Sequence, residues 1–334
     1  MRPCVLAVGN FDGVHQGHAA LLTFAREKAH THGLPLVVLT FDPLPGEYFA
    51  ARASIGSESK QLNQELHRIC TTDQRVRLIT SLGADVVEIE PFNVELQQLA
   101  PQDFVTDTLH TREQARVVVV GEDFRFGHKR AGDIALLQKL CIKEQIECHA
   151  LSLVRETGEQ PDGVKYSSSC IRAALRNGDL ALVNNQLGYS WQMTGLVQSG
   201  DGRGSGLGFA TANLTPDLPL PGLRGVFVSS LYMNGKWLDA VTNIGSRPTF
   251  GDGRVHCETH LLNPPGVSLY NQRVTLALHQ KLRDEVRFAE PEALIAQITS
   301  DVEQARVWHA ANSPVFTPHL EVQVVTQESE IAKI

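Results

Sequence analysis

The stretch GNFDGVHQGH, which runs from Gly9 to His18, follows the short apolar run Val5–Val8 and contains three glycines and two histidines. The apolar run is typical of a buried strand, and the residues after His18 have the apolar periodicity of a helix. Glycines allow backbone N–H groups to approach a ligand closely, and the following helix directs the positive end of its dipole at the same place. We therefore predict a strand, an anion-binding turn and a helix in this order.

The rest of the first half repeats this alternation of strand and helix. Pro35–Phe41 and Ala115–Gly121 are apolar strand candidates, and helix candidates end at glycines such as Gly33 and Gly83. The β-α-β order predicts an α/β fold, with a doubly wound parallel sheet of Rossmann-like type and helices on its faces. Such sheets bind ligands at the carboxyl ends of their strands, which is where Gly9–His18 lies.

The sequence pattern changes after about Leu187, where short alternating apolar runs are separated by Gly, Thr and Pro. Asn234-Gly235 is a strong hairpin signal, and the whole pattern predicts a small antiparallel β-barrel. A helix with an apolar stripe is predicted over Pro291–Ala311. We expect a first domain, a barrel domain with its C-terminal helix, and a tail of unclear role, over residues 1–186, 187–312 and 313–334.

Length, charge and cysteine spacing narrow the function classes. The chain has 334 residues, which suits two domains, and its formal net charge of -7 gives no support to a nucleic-acid partner. Its six cysteines are scattered without zinc-ligand spacing. The sequence contains neither a signal-peptide pattern nor an apolar run of membrane length. We expect a cytoplasmic protein with reduced thiols and no membrane partner; its oligomeric state is left open.

Two helix starts in the first half carry residues suited to phosphate. His15 and His18 are three residues apart, so they share a face if the first turn is helical. Imidazole donors beside a helix N-terminus suit a polyphosphate whose charge grows in the transition state. Ser167–Ser169, followed by Arg172, offers hydroxyls and a cation to a second phosphate, although three serines also form an ordinary helix cap.

Aromatic and acidic residues follow two of the predicted strands. Phe124 and Phe126 come after Ala115–Gly121, where they would stack on a flat aromatic ligand or simply pack in the core. Asp123 lies beside them. Asp42 comes directly after the second strand, where a carboxylate could hold Mg²⁺ or a ribose.

These motifs together resemble a known family. GNFDGVHQGH is similar to the HxGH signature of the adenylyl- and cytidylyltransferases. With LTFDPLPGEYF (39–49), VVGEDFRFGHKRAGD (119–133) and YSSSCIRAALRNGDL (166–180), it resembles the bacterial bifunctional riboflavin kinase/FAD synthetases. The resemblance implies that the first domain is an FMN adenylyltransferase, in which FMN phosphate attacks the α-phosphorus of ATP.

The same resemblance implies roles for individual residues of the first domain. Three residues are implied to be catalytic, namely His15, His18 and Arg172. Nucleotide binding is implied for Gly9, Asn10, Phe11, Asp12, Gly13, Ser167, Ser168 and Ser169. Flavin binding is implied for Asp42, Asp123, Phe124 and Phe126.

The second half contains GDGRGSGLGFATAN (200–213), which is rich in glycine but lacks the GK[ST] ending of a P-loop. It resembles the nucleotide loop and PTAN motif of the flavokinases. The resemblance implies that Thr211 and Asn213 bind Mg²⁺ and the ATP phosphates, beside nucleotide-binding Gly204 and Gly208. Ala210 replaces the usual proline, which is not a ligand but stiffens the turn.

Two further residues of the second half are implied to act in the flavokinase reaction. Glu258, in CETHLL (257–262), is implied to be the general base for the riboflavin 5′-hydroxyl, although a strand glutamate often simply faces solvent. Arg283, in the closing segment of the barrel, is implied to bind flavin.

We therefore expect a transferase that phosphorylates riboflavin with ATP to FMN and then adenylylates FMN to FAD, with Mg²⁺ assisting. The alternative is a monofunctional FAD synthetase whose barrel binds flavin without kinase activity, and Ala210 motivates it. A non-enzymatic flavin-binding regulator would make His15 and His18 dispensable. A cytidylyltransferase would leave the barrel unexplained.

Overall fold

The structure is a computed structural model. It describes residues 2–54, 68–152, 165–198, 211–220, 222–246, 255–264, 266, 269–288 and 290–317. The described residues divide into two compact units. The first unit takes its described residues from 2–54 and 72–168, and the second from 68–71 and 169–317.

The first unit is a parallel sheet with helices. Its strands are β1 (Cys4–Val8), β2 (Leu36–Phe41), β3 (Val86–Glu90), β4 (Ala115–Gly121) and β5 (Glu147–Leu151). Its helices are α1 (Gln16–His32), α2 (Pro45–Ser54), α3 (Thr72–Ser81), α4 (Val94–Gln98), α5 (Pro101–Asp103), the π-helix Phe104–Arg112, the 3₁₀ turn His128–Arg130 and α6 (Ile134–Lys143). Among the described residues the strand order is β3-β2-β1-β4-β5, and every pairing is parallel.

The strand order confirms the predicted α/β sheet. The chain winds from β1 outward to β3 and then returns to β4 on the other side of β1, so a topological switch point lies between the carboxyl ends of β1 and β4. The strands β1 and β2 are buried along their whole length, as expected for central strands that helices cover on both faces. Helix α1 ends at Gly33, which has φ 63 and donates its N–H to the His30 carbonyl at 3.2 Å.

The second unit is the predicted antiparallel barrel. Its strands are β6 (Trp191–Gln198), β7 (Thr211–Pro216), β8 (Gly225–Met233), β9 (Lys236–Ser246), β10 (Val255–Leu261) and β11 (Arg273–Arg283). Within the described part of the chain they form a closed barrel in the order β10-β7-β6-β11-β8-β9. The helices α7 (Ser168–Asn177) and α8 (Leu180–Leu187) precede the barrel, and α9 (Pro291–Ala311) follows it.

Helix α9 packs on the barrel through an apolar stripe. Ala305, Val302 and Trp308 lie against Val226 and Val228 of β8. The sequence predicts a stripe of Leu294, Ile295, Ile298 and Val302, and of these only Val302 belongs to this packed group. Burial of its apolar surface stabilises the helix by removing that surface from water.

The segment after α9 continues along the barrel. The Ser190 N–H donates to the Val315 carbonyl at 2.8 Å. The ring of Phe316 stacks on Trp237 with centroids 3.9 Å apart. Residues 313–317, the start of the tail whose role the sequence leaves open, thus belong to the second compact unit.

Some elements differ from the sequence expectation. A helix is predicted over Pro101–His110, and the structure instead continues the short α5 as a π-helix. The strand β7 and the helix α8 are not predicted. All six cysteines lie among the described residues and are free thiols, as expected.

In the part of the chain that the structure describes, no helix combines the length and the hydropathy needed to cross a membrane.

Candidate active sites

The turn between β1 and α1 has an unusual backbone. Phe11, Gly13 and Val14 have φ values of 49, 79 and 40, in the left-handed region that side chains with a Cβ rarely adopt. Phe11 and Val14 are both fully buried, so packing holds the turn in this conformation. A Cβ on Gly9 would lie 3.2 Å from the Phe11 ring, so a larger residue there would require this ring to shift by a few tenths of an ångström.

The turn brings His15 and His18 together at the start of α1. His15 caps the helix, and its Nδ1 accepts a hydrogen bond from the His18 N–H at 3.3 Å. The two rings stack with centroids 3.7 Å apart and an angle of 17° between their planes. Because Nδ1 is an acceptor, the neutral His15 ring carries its proton on Nε2.

His18 is neutral at physiological pH. Burial lowers its pKa to about 3; Asp123 opposes this shift, and the positive charge of Arg75 adds to it. The His18 Nδ1 is buried and has no hydrogen-bond partner among the described residues. A buried polar atom without a partner at a helix N-terminus is the kind of group that a ligand satisfies.

The start of helix α7 is tied to the same turn. The Ser168 hydroxyl donates to the Asp12 carbonyl at 2.8 Å. Ser167 precedes it and is half-buried. Ser169 and Arg172 follow on α7 and belong to the second compact unit. The structure therefore brings Ser168 to the turn.

Asp42 lies at the carboxyl end of β2. Its Oδ2 accepts a hydrogen bond from the Thr72 hydroxyl at 2.9 Å, and its N–H donates to the Glu90 carbonyl at 3.0 Å. Thr72 begins α3, so the carboxylate of Asp42 connects the end of β2 to this helix. The side chain is half-buried.

The residues after β4 divide between surface and core. Asp123 is exposed, with its Oδ2 3.3 Å from Lys165 Nζ. The rings of Phe124 and Phe126 stack with centroids 5.7 Å apart. Phe126 is buried in the sheet core, whereas Phe124 is half-buried, so Phe124 is the ring of this pair with the larger accessible part.

The barrel aligns two of the predicted kinase residues in one row across its strands and places a third next to this row. Glu258 of β10 lies directly opposite Asn213 of β7, and on its other side it lies opposite Asn243 of β9. Residues directly opposite in an antiparallel pair have Cβ atoms about 5 Å apart. Thr211, two residues from Asn213, lies on the same face of β7 and opposite His260.

This row faces away from the barrel core. Cys257 and Thr259, the neighbours of Glu258, are buried, whereas Glu258 is half-buried. The alternation along the strand therefore places the carboxylate on the accessible face.

Asn243 and His260 are two candidate site residues that the sequence motifs do not identify. Both are half-buried and lie in the row or next to it. Asn243 begins NIGSRPTFG (243–251), and the resemblance of this segment to the flavokinases was the available signal. His260 follows Glu258 at the period-two spacing of a strand.

Arg283 has a partner on helix α9. Its Nε and its second terminal nitrogen lie 3.0 Å and 2.7 Å from the carboxylate oxygens of Asp301, which is 2% exposed. This bidentate pair fastens α9 to the end of β11. The role of Arg283 toward flavin stays a prediction.

Three residues of the predicted nucleotide loop, Gly204, Gly208 and Ala210, lie outside the described residues. Among the described residues, no group of three or more His, Cys, Asp or Glu side chains is arranged to hold a metal ion.

Comparisons with known proteins cover both units. The chain matches the family model described as FAD synthetase over residues 1–164 and the one described as riboflavin kinase over residues 187–309. A protein of Escherichia coli K12 named bifunctional riboflavin kinase/FMN adenylyltransferase is 35% identical over 312 residues, which cover 93% of this chain and 94% of that protein. A Pseudomonas fluorescens protein of the same name is 36% identical, and the match covers 93% of this chain and 95% of that protein.

A solved structure has the same fold over most of the chain. The crystal structure described as a macrolide-efflux protein from Streptococcus pneumoniae matches with a TM-score of 0.78 and 25% identity, over 92% of this chain and 95% of that one. With two family models matched in chain order and relatives aligned over nearly their whole length, the chain belongs to the family of bifunctional riboflavin kinase/FMN adenylyltransferases.

Proposed function

We propose that this chain phosphorylates riboflavin with ATP to give FMN, and then transfers the adenylyl group of a second ATP to FMN, giving FAD and pyrophosphate. The observation that carries the proposal is that one chain holds both sets of residues. The stacked pair of His15 and His18 lies at a parallel-sheet switch point, and Glu258 lies opposite Asn213 in a closed barrel.

In adenylyl transfer, an FMN phosphate oxygen forms a bond to the α-phosphorus of ATP as the bond to pyrophosphate breaks. No side-chain nucleophile is needed, so the protein acts by positioning and by stabilising charge. His15, through its Nε2–H, and the neutral His18 donate hydrogen bonds to the phosphates, and the N-terminus of α1 adds its dipole. The resemblance also assigns phosphate contacts to Arg172 and to the hydroxyls of Ser167 and Ser169.

Other residues of the first unit provide the contacts to the nucleotide and to the flavin. The turn residues Gly9, Asn10, Asp12 and Gly13 bring the backbone close to the nucleotide. Phe124 offers its ring to the flavin, and the carboxylates of Asp42 and Asp123 border this end of the sheet.

In the kinase reaction, Glu258 accepts the proton of the riboflavin 5′-hydroxyl. The oxygen then forms a bond to the γ-phosphorus of ATP, and ADP leaves. Asn213 lies opposite Glu258 and Thr211 is two residues away, so phosphate held by this pair lies within reach of the base.

Mg²⁺ is the metal whose ligand preference fits these residues. Thr211 and Asn213 would hold it through side-chain oxygens, the hard donor type that Mg²⁺ prefers, together with oxygens of the ATP phosphates. When bound, the ion neutralises negative charge on the transferring phosphates.

The bifunctional reading is favoured over a monofunctional FAD synthetase. The match to the riboflavin kinase model covers the barrel, and the barrel keeps Thr211, Asn213 and Glu258 in one group. Ala210 then becomes a tolerated change. We also propose domain limits at 1–186 and 187–312, a tail over 313–334, and a cytoplasmic location, which suits six free thiols.

The test is a chromatographic time course of the purified protein with riboflavin, ATP and Mg²⁺, repeated with FMN as the starting flavin. We expect FMN to accumulate first and FAD to follow, and FAD to form directly from FMN. Formation of FAD from FMN with no product from riboflavin would establish the monofunctional alternative. Absence of product from both flavins, on folded protein, would refute the proposal.

A further inference from the structure

We propose that Arg75 is a positioning residue for adenylyl transfer: its guanidinium ties the carboxyl ends of β1 and β2 together and so holds the turn Gly9–His18 in the shape that receives ATP. This inference rests on the proposed function of the first unit. It concerns a residue on α3, which none of the phosphate- and flavin-binding motifs contains.

Arg75 is a buried cation that bonds to backbone. Its side chain is 1% exposed. One terminal nitrogen donates to the Asn10 carbonyl at 3.1 Å, and the other donates to the Phe41 carbonyl at 2.8 Å. A buried guanidinium is costly unless it is hydrogen-bonded, so these bonds fix the position of both carbonyls relative to α3.

The Asn10 carbonyl is held from two sides. The Thr40 hydroxyl donates to it at 3.0 Å, in addition to Arg75. The next residue, Phe11, has the left-handed φ of 49, and its ring lies 5.1 Å from the ring of His18. The contacts therefore run from Arg75 through the strained backbone to the histidine that faces the phosphates.

The second bond acts at the end of β2. Phe41, whose carbonyl Arg75 binds, directly precedes Asp42. Thr72, three residues before Arg75 on the same helix, donates to the carboxylate of Asp42. Residues three apart lie on one helix face, so one face of α3 donates hydrogen bonds to the carboxyl ends of both β1 and β2. Arg75 and Thr72 together position the nucleotide side and the flavin side of the site.

The positive charge of Arg75 also affects the protonation state of His18. It disfavours protonation of His18, as burial does, while Asp123 opposes both. A neutral His18 keeps one nitrogen as a donor and one as an acceptor.

The test compares three variants of the full-length protein. Arg75→Met removes the charge and both donors at similar side-chain length, and Arg75→Lys keeps the charge but lacks the two-pronged geometry. Arg77→Met is the matched control, because Arg77 is exposed on the same helix. FAD formation from FMN and FMN formation from riboflavin are measured in each protein.

We expect Arg75→Met to lower kcat for FAD formation by about a hundredfold with a smaller change in KM, because misplacement of reacting groups costs rate. Arg75→Lys is expected to lie between Arg75→Met and the wild type. Kinase rates should stay within about twofold in all three variants, and Arg77→Met should match the wild type in both reactions. Wild-type kcat in folded Arg75→Met, or in Arg75→Lys if Arg75→Met does not fold, would overturn the inference.

An NMR readout separates this inference from the proposed function. The backbone amide shifts of Asn10 to His18 should change in Arg75→Met but not in Arg77→Met, and the pKa of the His18 ring should rise in Arg75→Met. These signals are measurable whether or not the protein makes FAD. Unchanged shifts in Arg75→Met would overturn the positioning role. If the wild-type protein makes no FAD but the shifts still change in Arg75→Met, only the proposed function is refuted.

Discussion

In the turn after β1, several site residues are buried and the backbone itself is strained, whereas in the barrel Thr211, Asn213 and Glu258 are half-buried on the regular surface of three strands. The first site depends on buried groups such as Val14 and Arg75, which support the turn and to which no ligand contact is assigned. The second depends on strand pairing, which brings the side chains opposite one another with little help from the core. Substitutions of buried residues that support a site without binding the ligand should therefore lower activity more at the first site than at the second.

The largest expected effect is on the barrel reaction. Glu258→Gln should lower the rate of FMN formation by about a thousandfold, because the amide cannot accept the hydroxyl proton. FAD formation from FMN should stay within about twofold of the wild-type rate. Separate assays of the two reactions provide the measurement.

Glu303→Gln is the matched control, since Glu303 is exposed on α9. An unchanged kinase rate in Glu258→Gln would exclude Glu258 as the general base. The row across β7, β10 and β9 would then contain no residue with a proposed catalytic role.

The next effect is in the turn. His18→Ala should lower FAD formation by about a hundredfold or more, the cost of removing one preorganised donor. FMN formation should be spared, as measured on the same preparation. His30→Ala, at an exposed position near the end of α1, should leave both rates unchanged. Loss of both activities in a folded His18→Ala protein would contradict the separation of the two sites.

A smaller effect is expected where the barrel does depend on a buried group. Asp301→Asn should cost about 2 kcal/mol of unfolding free energy, because it weakens the charged hydrogen bonds that Arg283 donates. Urea unfolding followed by the fluorescence of Trp237 and Trp308 measures it. Gln304 is exposed on the same helix, so Gln304→Ala should change stability little. Equal effects of both variants would argue against a stabilising role of the Arg283–Asp301 pair.

The last effect is a pH dependence common to both units, and it is gradual because it accumulates over several pH units. Burial lowers the pKa of His18 and of His279 to about 3, from an ordinary value of 6.5. Between these values the unfolded chain binds more protons than the folded one, so stability is full above pH 6.5 and falls as pH drops toward 3. Each histidine should contribute up to about 1.4 kcal/mol per pH unit in that window.

Urea unfolding of the wild type, His18→Gln and His279→Gln between pH 4 and 7 tests this expectation. The glutamine variants should have shallower slopes. A slope unchanged by His279→Gln would show that the barrel tolerates a charged ring between Ser190 and Ser230, which hydrogen-bond with it at 2.7 Å and 2.8 Å.

The sequence predicts the two units well where the pattern is local. Ala115–Gly121 is a strand with the expected ends, and His15 and His18 meet as their spacing suggests. It fails for β7, because the glycine-rich residues before Thr211 read as a continuous loop. The opposition of Glu258 and Asn213 depends on strand register, which is non-local.

Arg75 shows a second limit of sequence reading. It lies in TDQRVRLITS, where two arginines two residues apart read alike as surface charges. Only the packed structure separates them, because Arg75 is buried against carbonyls of two other strand ends while Arg77 is exposed.

The row across β7, β10 and β9 also limits how this barrel can change length over evolution. Successive side chains of a strand point to opposite faces, so deletion of one residue within β10 before Glu258 would turn the carboxylate toward the core and bring Cys257 or Thr259 outward. Insertions and deletions are therefore confined to the loops or must come in pairs. Substitutions at Asn213 and Asn243, in contrast, leave the backbone register intact, so these strands should diverge by exchange of side chains at constant length.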